Sequence, residues 1–226
     1  MLSEEALAFY RHNPIEIRVS AVLETSGPNP LTDDLLGVYL CGEQDSFAYW
    51  NFRPGAEAER GPAIGMLRSF PLILFGAARC CTWLGRVGVT PIVAADPALA
   101  AFVLDPNQPL DLNALSTKYL ERPFESLAGE LHEEGIIQRS SGELLLDSLG
   151  PMATVIKQLH QKLRTLPDWA EPVYAQELSL VPVIVGMELH GIAVDAPSLT
   201  KIVHALEEKS VGLEVQLDAL GPPSID

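Results

Sequence analysis

The chain has 226 residues, 47% of them hydrophobic, and sets 15 lysines and arginines against 30 acids for a formal net charge of -15. That composition allows a sizeable core, one main domain with an appendage, and no stretch concentrates basic residues enough to follow a phosphate backbone, so the chain alone is expected to bind nucleic acid weakly or not at all. No run approaches about 18 uninterrupted apolar residues and MLSEEALAFYRHNP lacks the regions of a signal peptide, so neither export nor a membrane anchor is expected and the expected location is cytoplasmic.

In chain order, Ser3 followed by Glu4 and Glu5 predicts a short capped helix over 3–11, ended by Pro14. Apolar, β-branched stretches at 15–23, 35–41 and 46–52, separated by GPNP and GEQD turns, predict three antiparallel strands. RPGAEAERGPAIG (53–65) reads as a loop running into a helix, and FPLILFGA (70–77) as an interior strand covered on both faces. A helix over 78–87, a short extended piece at VGVTPIV and a helix over 97–104 follow, the last with Asp96 as N-cap and Pro97 at its first position.

Asp111 is expected to cap a helix over 111–120 whose apolar stripe is Leu112, Leu115, Tyr119 and Leu120. FESLAGELHEEGIIQRSSGEL is polar and glycine-punctuated, so the middle of the chain is expected to be loop-rich. A long helix over 144–166 must break or start near Pro151, another covers 173–189 with Gly191 as its C′ residue, and Asp195 caps a last helix with Leu199, Ile202, Val203, Leu206, Leu213 and Leu217 along it.

Single residues first receive structural readings. Cys41, Cys80 and Cys81 have no zinc-ligand spacing and are expected as buried, reduced thiols, the adjacent pair packing under the sheet. His12, His132, His160, His190 and His204 form no metal or triad pattern and are expected at the surface. Trp50, Trp83, Trp169, Tyr39 and Tyr49 are expected to pack in the core rather than stack on bases, and Asp33 and Asp34 to cap their turn or face water.

ELSLVPVIVGMELHGIAVDAPSL (177–199) carries Glu177, Leu180, Pro182, Val183, Met187, Glu188, Gly191, Ile192, Val194 and Asp195 in the pattern E-x-P-L-x-P-V-L-x-x-M-E-x-x-G-[IV]-x-[VI]-D, with Ser179 in place of the first proline. This segment resembles the passage from the exonuclease-type domain to the thumb in bacterial DNA polymerase I, the family A DNA polymerases. ADPALAAFVLDPNQPLDLNALSTKYL (95–120) resembles a further stretch of that family, and the likeness extends back to about residue 15.

The resemblance implies an α/β (α+β) chain: an RNase H-like 3′-5′ exonuclease fold over 1–175, its mixed sheet starting with antiparallel strands and flanked by helices. Residues 176–226 would then be a helical tail, the truncated start of the polymerase module. Active relatives cut by two-metal chemistry, which needs several carboxylates to hold both ions. Their D-x-E on the first strand falls here on Val22 and Glu24, which alternation puts on one face. The second motif's aspartate falls on Cys80 or Arg79, and the Y-x-x-x-D of the last long helix on Ser148 and Met152.

Three of four expected ligands are therefore replaced, and a site without metals, with Glu24 a solvated strand-end charge, is expected. No cofactor is expected, and Mg²⁺ only if carboxylates such as Glu24, Asp33 and Asp147 form a relocated site. The implied role is structural support for DNA synthesis within the parent polymerase, whose other parts would be the partners and would contact DNA. An acidic protein-interaction module is the remaining alternative.

Overall fold

The computed structural model describes residues 19–42, 47–124, 132–133, 136–138, 146–219 and 221. The helix expected over 3–11 and the first residues of the strand expected from 15 lie outside the described residues. The chain divides into two compact units, Met1–His190 and Gly191–Asp226. The expected boundary at 175/176 falls inside a helix of the first unit.

Three antiparallel strands open the fold: β1 (Val19–Thr25), β2 (Leu35–Cys41) and β3 (Phe47–Asn51). β1 is buried along its whole length, as a strand covered on both faces must be. β4 (Pro71–Ile73) and β5 (Ile92–Ala95) continue the sheet in parallel, giving the order β3-β2-β1-β4-β5 and leaving β4 in the interior, as the apolar run at 70–77 predicts. The extended piece expected at VGVTPIV forms slightly later, at β5.

Most of the stretch expected to be loop-rich lies outside the described residues. β6 (His132–Glu133) and β7 (Ile136–Gln138) form a small antiparallel hairpin, and β7 runs parallel to β1 from Leu23 to Thr25. β4 pairs with β1 only at Val19 and Ser20, so the first half of one edge of β1 is occupied by β4 and the second half by β7. Strands this short carry too little periodicity to stand out among glycines and acids; sheet pairing makes them.

Helices cover both faces. α1 (Glu57–Ser69) follows the loop expected from 53, contains Pro62, which removes one helical hydrogen bond, and buries Ala63 and Leu67. α2 (Ala77–Arg86), α3 (Pro97–Leu104) and α4 (Leu112–Leu120) follow the expected positions. α5 (Leu146–Leu163) is continuous through Pro151, its sixth residue, so of the break or nearby start expected at this proline it is the start that occurs. α6 (Glu171–His190) passes through Pro182 and ends before Gly191, whose φ of 68° is the left-handed C′ conformation.

Alternation along the central strands sorts the interior into two cores. Ala21, Leu23, Leu72 and Leu74 face one that also holds Cys80, Trp83, Leu84 and, from α6, Val181 and Val185. Val22, Ile73 and Phe75 face the other, built with α3, α4 and α5 through Ala101, Leu115, Leu149, Met152 and Ile156. Ser20 on β1 donates from Oγ to the Ala153 carbonyl of α5 at 2.9 Å, so the buried hydroxyl is paired.

Among the described residues the second unit holds one helix, α7 (Ala196–Ala219). Asp195 caps it as predicted, accepting from the Ser198 amide at 3.1 Å and the Ser198 hydroxyl at 2.6 Å. Its aliphatic residues Leu199, Ile202, Val203, Leu206, Leu213 and Leu217 are exposed.

Candidate functional site

The site is built around the end of β1. Glu24 pairs with Gly37 and Thr25 with Leu35, so the register slips there by one residue of β2. Glu24 is only 2% exposed, so the expected solvated strand-end charge is corrected to a buried carboxylate. Burying it without compensation would be expensive, and two residues supply the compensation.

Arg53, just beyond β3, donates from Nη2 to Glu24 Oε1 at 2.6 Å and from Nη1 to the Tyr49 hydroxyl at 2.8 Å. The Tyr49 hydroxyl donates to Glu24 Oε2 at 2.7 Å. The three side chains thus close a ring in which both carboxylate oxygens accept. Tyr49 lies on β3, one strand beyond β2, and its ring passes over Gly37, where a Cβ would stand 2.6 Å from two of its ring carbons. A side chain at 37 would block the link.

The electrostatics follow. Burial, aided by the hydrogen bond to Glu24 and its charge, pushes the Tyr49 hydroxyl up to about 12. Burial works against the Arg53 charge, but its hydrogen bond to Tyr49 and the charge of Glu24 outweigh it and hold the guanidinium above its ordinary value.

The other residues expected around a metal site are divided between the two cores. Val22 and Met152 are fully buried and share the apolar core on the α5 face, with Leu149 beside them. Cys80 belongs to the other core, where its Sγ donates to the Phe75 carbonyl at 3.5 Å. Arg79 points to the loop after β1, donating from Nη2 to the Pro28 carbonyl at 2.6 Å. Ser148 lies in the first turn of α5; its side chain and that of Asp147 are outside the described residues. Asp33 accepts from the Asn29 amide at 2.8 Å, a turn-closing bond, and Asp34 is exposed. Among the described residues no group of three or more His, Cys, Asp or Glu side chains is placed to hold a metal ion.

Asp96 was read as a cap for one helix and serves two. Its Oδ1 accepts from Ala98 at 2.9 Å and Leu99 at 3.3 Å at the start of α3, while Oδ1 and Oδ2 accept from Gly76 at 3.2 Å and Ala77 at 2.7 Å at the start of α2. The Asp-Pro signature discloses the first role; only the parallel β4/β5 pairing brings the second helix within reach.

Other expectations divide similarly. The three cysteines are buried, free thiols, and burial together with the Asp96 charge pushes Cys81 up to about 12. Trp83 is buried and Trp50 packs against the same core, but Trp169 is 61% exposed, contrary to its expected core position. It stands in the connection between α5 and α6. His190 and His204 are exposed, whereas His160 is half-buried and lines a cavity beside Tyr174, against the surface expectation. The side chains of His12 and His132 are outside the described residues. No helix among the described residues is long and apolar enough to cross a membrane.

Over 143 residues the chain is 35% identical to DNA polymerase I of Pseudomonas aeruginosa, a match spanning 56% of this chain and 15% of that protein. The chain is similar to a segment of DNA polymerase I. No protein-family model matches it. Among solved structures, the apo form of a nuclease superposes with a TM-score of 0.65 over 86% of this chain and 94% of its own, at 17% identity. The POL domain of Pol1 from M. smegmatis, in complex with DNA primer-template and dNTP, superposes with a TM-score of 0.59 over 92% of this chain and 35% of its own, at 16% identity. At such identities the structural likeness establishes the fold, which is the RNase H-like exonuclease fold with a helical C-terminal part.

Proposed function

We propose that residues 1–175 are a catalytically degenerate 3′-5′ exonuclease-like domain, that 176–226 begin a DNA-synthesising module, and that the first braces the second without trimming DNA. The observation that carries this reading is the state of Glu24, the one acid at the positions where the resemblance expects metal ligands: both of its oxygens are taken by Arg53 and Tyr49. Around it the donor chemistry is wrong for hard divalent ions, which want several oxygen ligands. Val22 and Met152 are aliphatic and thioether groups in an apolar core, and Cys80 packs on the other face of the sheet. These residues do not fit a two-metal site.

Partners follow from the same reasoning. The rest of a parent DNA polymerase is the proposed partner, and DNA is reached through it. Arg60, Arg68, Arg79 and Arg86 each donate to backbone carbonyls of this chain, which leaves them poorly placed to form a phosphate-binding groove and supports weak or absent DNA binding by the chain alone.

Incubation of the pure chain with end-labelled single-stranded DNA and Mg²⁺ or Mn²⁺ tests the reading. The expected result is no shortening. Metal-dependent shortening that disappears in Glu24→Ala would establish the opposite, an active exonuclease with relocated carboxylates.

A further inference from the structure

Resting on the degenerate-exonuclease reading above, we infer that Arg53 is a tethered counter-cation: its guanidinium stands at the Glu24 carboxylate where a bound metal ion would otherwise supply positive charge, and it makes the fold independent of divalent ions.

Four features of the structure converge on this. The Glu24 side chain is 3% exposed, so its charge must be balanced from within the protein. Arg53 answers it at 2.6 Å and also grips Tyr49, whose hydroxyl takes the second carboxylate oxygen, leaving neither oxygen without a donor. A guanidinium is planar and permanently charged, and its fork engages two acceptors at once, which a lysine ammonium does not reproduce. The missing side chain at Gly37 is a backbone provision for the same ring: it clears the path for the Tyr49 ring.

Arg53 is 22% exposed, so the guanidinium borders solvent, but without it a lone carboxylate offers too few oxygen ligands to hold a divalent ion. The native protein should therefore ignore divalent ions, and loss of Arg53 should carry a cost that depends on Glu24.

Thermal unfolding of the full chain tests this, with Arg53→Ala, Arg53→Lys, Glu24→Gln and the Arg53→Ala/Glu24→Gln double variant, each in EDTA and in Mn²⁺. Arg53→Ala is expected to lower Tm by on the order of 5–10 °C, Arg53→Lys by less, and the double variant to recover more than half of the loss. Mn²⁺ is expected to leave the native Tm and that of the double variant unchanged. Should Arg53→Ala not fold, Arg53→Lys and Glu24→Gln carry the same comparison: coupling appears as an Arg53→Lys loss that Glu24→Gln largely removes.

Independent, additive effects of the two substitutions overturn the inference. So does a native Tm raised by Mn²⁺ through Glu24. The nuclease assay separates this from the reading it rests on: uncoupled residues with no DNA shortening defeat only the role of Arg53, whereas Glu24-dependent shortening defeats the degenerate reading itself.

Discussion

The Tyr49 hydroxyl bonds Glu24 at 2.7 Å across an intervening strand, and the ring can make that crossing because Gly37 lies beneath it. Register places Glu24 opposite Gly37 and Tyr39 opposite Tyr49, so the contact is a diagonal one, spanning two strand spacings.

Gly37→Ala is therefore expected to destabilise. The new Cβ would meet ring carbons at 2.6 Å, and those atoms belong to a rigid ring fixed at its far end by Glu24 and Arg53. Overpacking of this kind costs about 1–3 kcal/mol. Gly85→Ala is the control with the opposite outcome. Its Cβ would meet only Leu189 Cδ1, the tip of a flexible side chain that is 41% exposed, and a helical glycine replaced by alanine gains up to about 1 kcal/mol. Urea denaturation of both variants reads the two signs.

Alkaline titration should expose the buried hydroxyls. Tyr39, mainly through burial, and Tyr49 are both held at about 12 against an ordinary 10.0. Because the folded value lies above the unfolded one, the folded state binds more protons between the two, and stability falls as pH rises from about 10 to about 12. Phenolate absorbance near 295 nm should show these two tyrosines ionising late, with unfolding rather than ahead of it. Two normal titrations in a still-folded protein would contradict this.

The extent to which the sequence disclosed all this depends on range. Local chemistry was legible: Asp96 before Pro97, Asp111, Asp195 and Gly191 mark the ends of helices as read, and the alternation of β1 and β2 marks the sheet. The hairpin of β6 and β7 was not, because two- and three-residue strands exist through pairing with β1 rather than through propensity. At Pro151 the sequence left a break or a nearby start open, and the fold takes the start. At the site, the absent acids at Val22, Cys80 and Met152 could be counted in the sequence. The fate of Glu24 could not, since its partners stand 25 and 29 positions away on another strand and the loop beyond it.

The thiols offer a check on the two cores. Cys41, Cys80 and Cys81 are buried and unpaired as disulfides, and the Cys81 thiol is held at about 12. A thiolate is the reactive form, so a disulfide-exchange reagent at pH 8 should label none of the three rapidly in the native protein and all three after guanidinium unfolding. Fast labelling in native buffer would mean that the core beneath α2 opens readily.

Asp96 and Asp111 allow the last prediction to be made as a contrast within one molecule. Each caps a helix, and asparagine is as good an N-cap as aspartate in general. At Asp111 one oxygen accepts one amide, from Ala114 at 2.9 Å, so Asp111→Asn is expected to change stability by less than about 0.5 kcal/mol. At Asp96 both oxygens accept from backbone amides: Oδ2 faces Ala77, and Oδ1 faces Gly76, Ala98 and Leu99. An asparagine must turn its NH₂ toward one of these groups, setting donor against donor at a residue that is 4% exposed. A buried amide left without an acceptor costs about 1–3 kcal/mol, so Asp96→Asn should be destabilising by that amount although it removes no atom from the core. Urea unfolding of the two variants measures the difference, and equal, small effects would mean that Asp96 does not join the two helix starts.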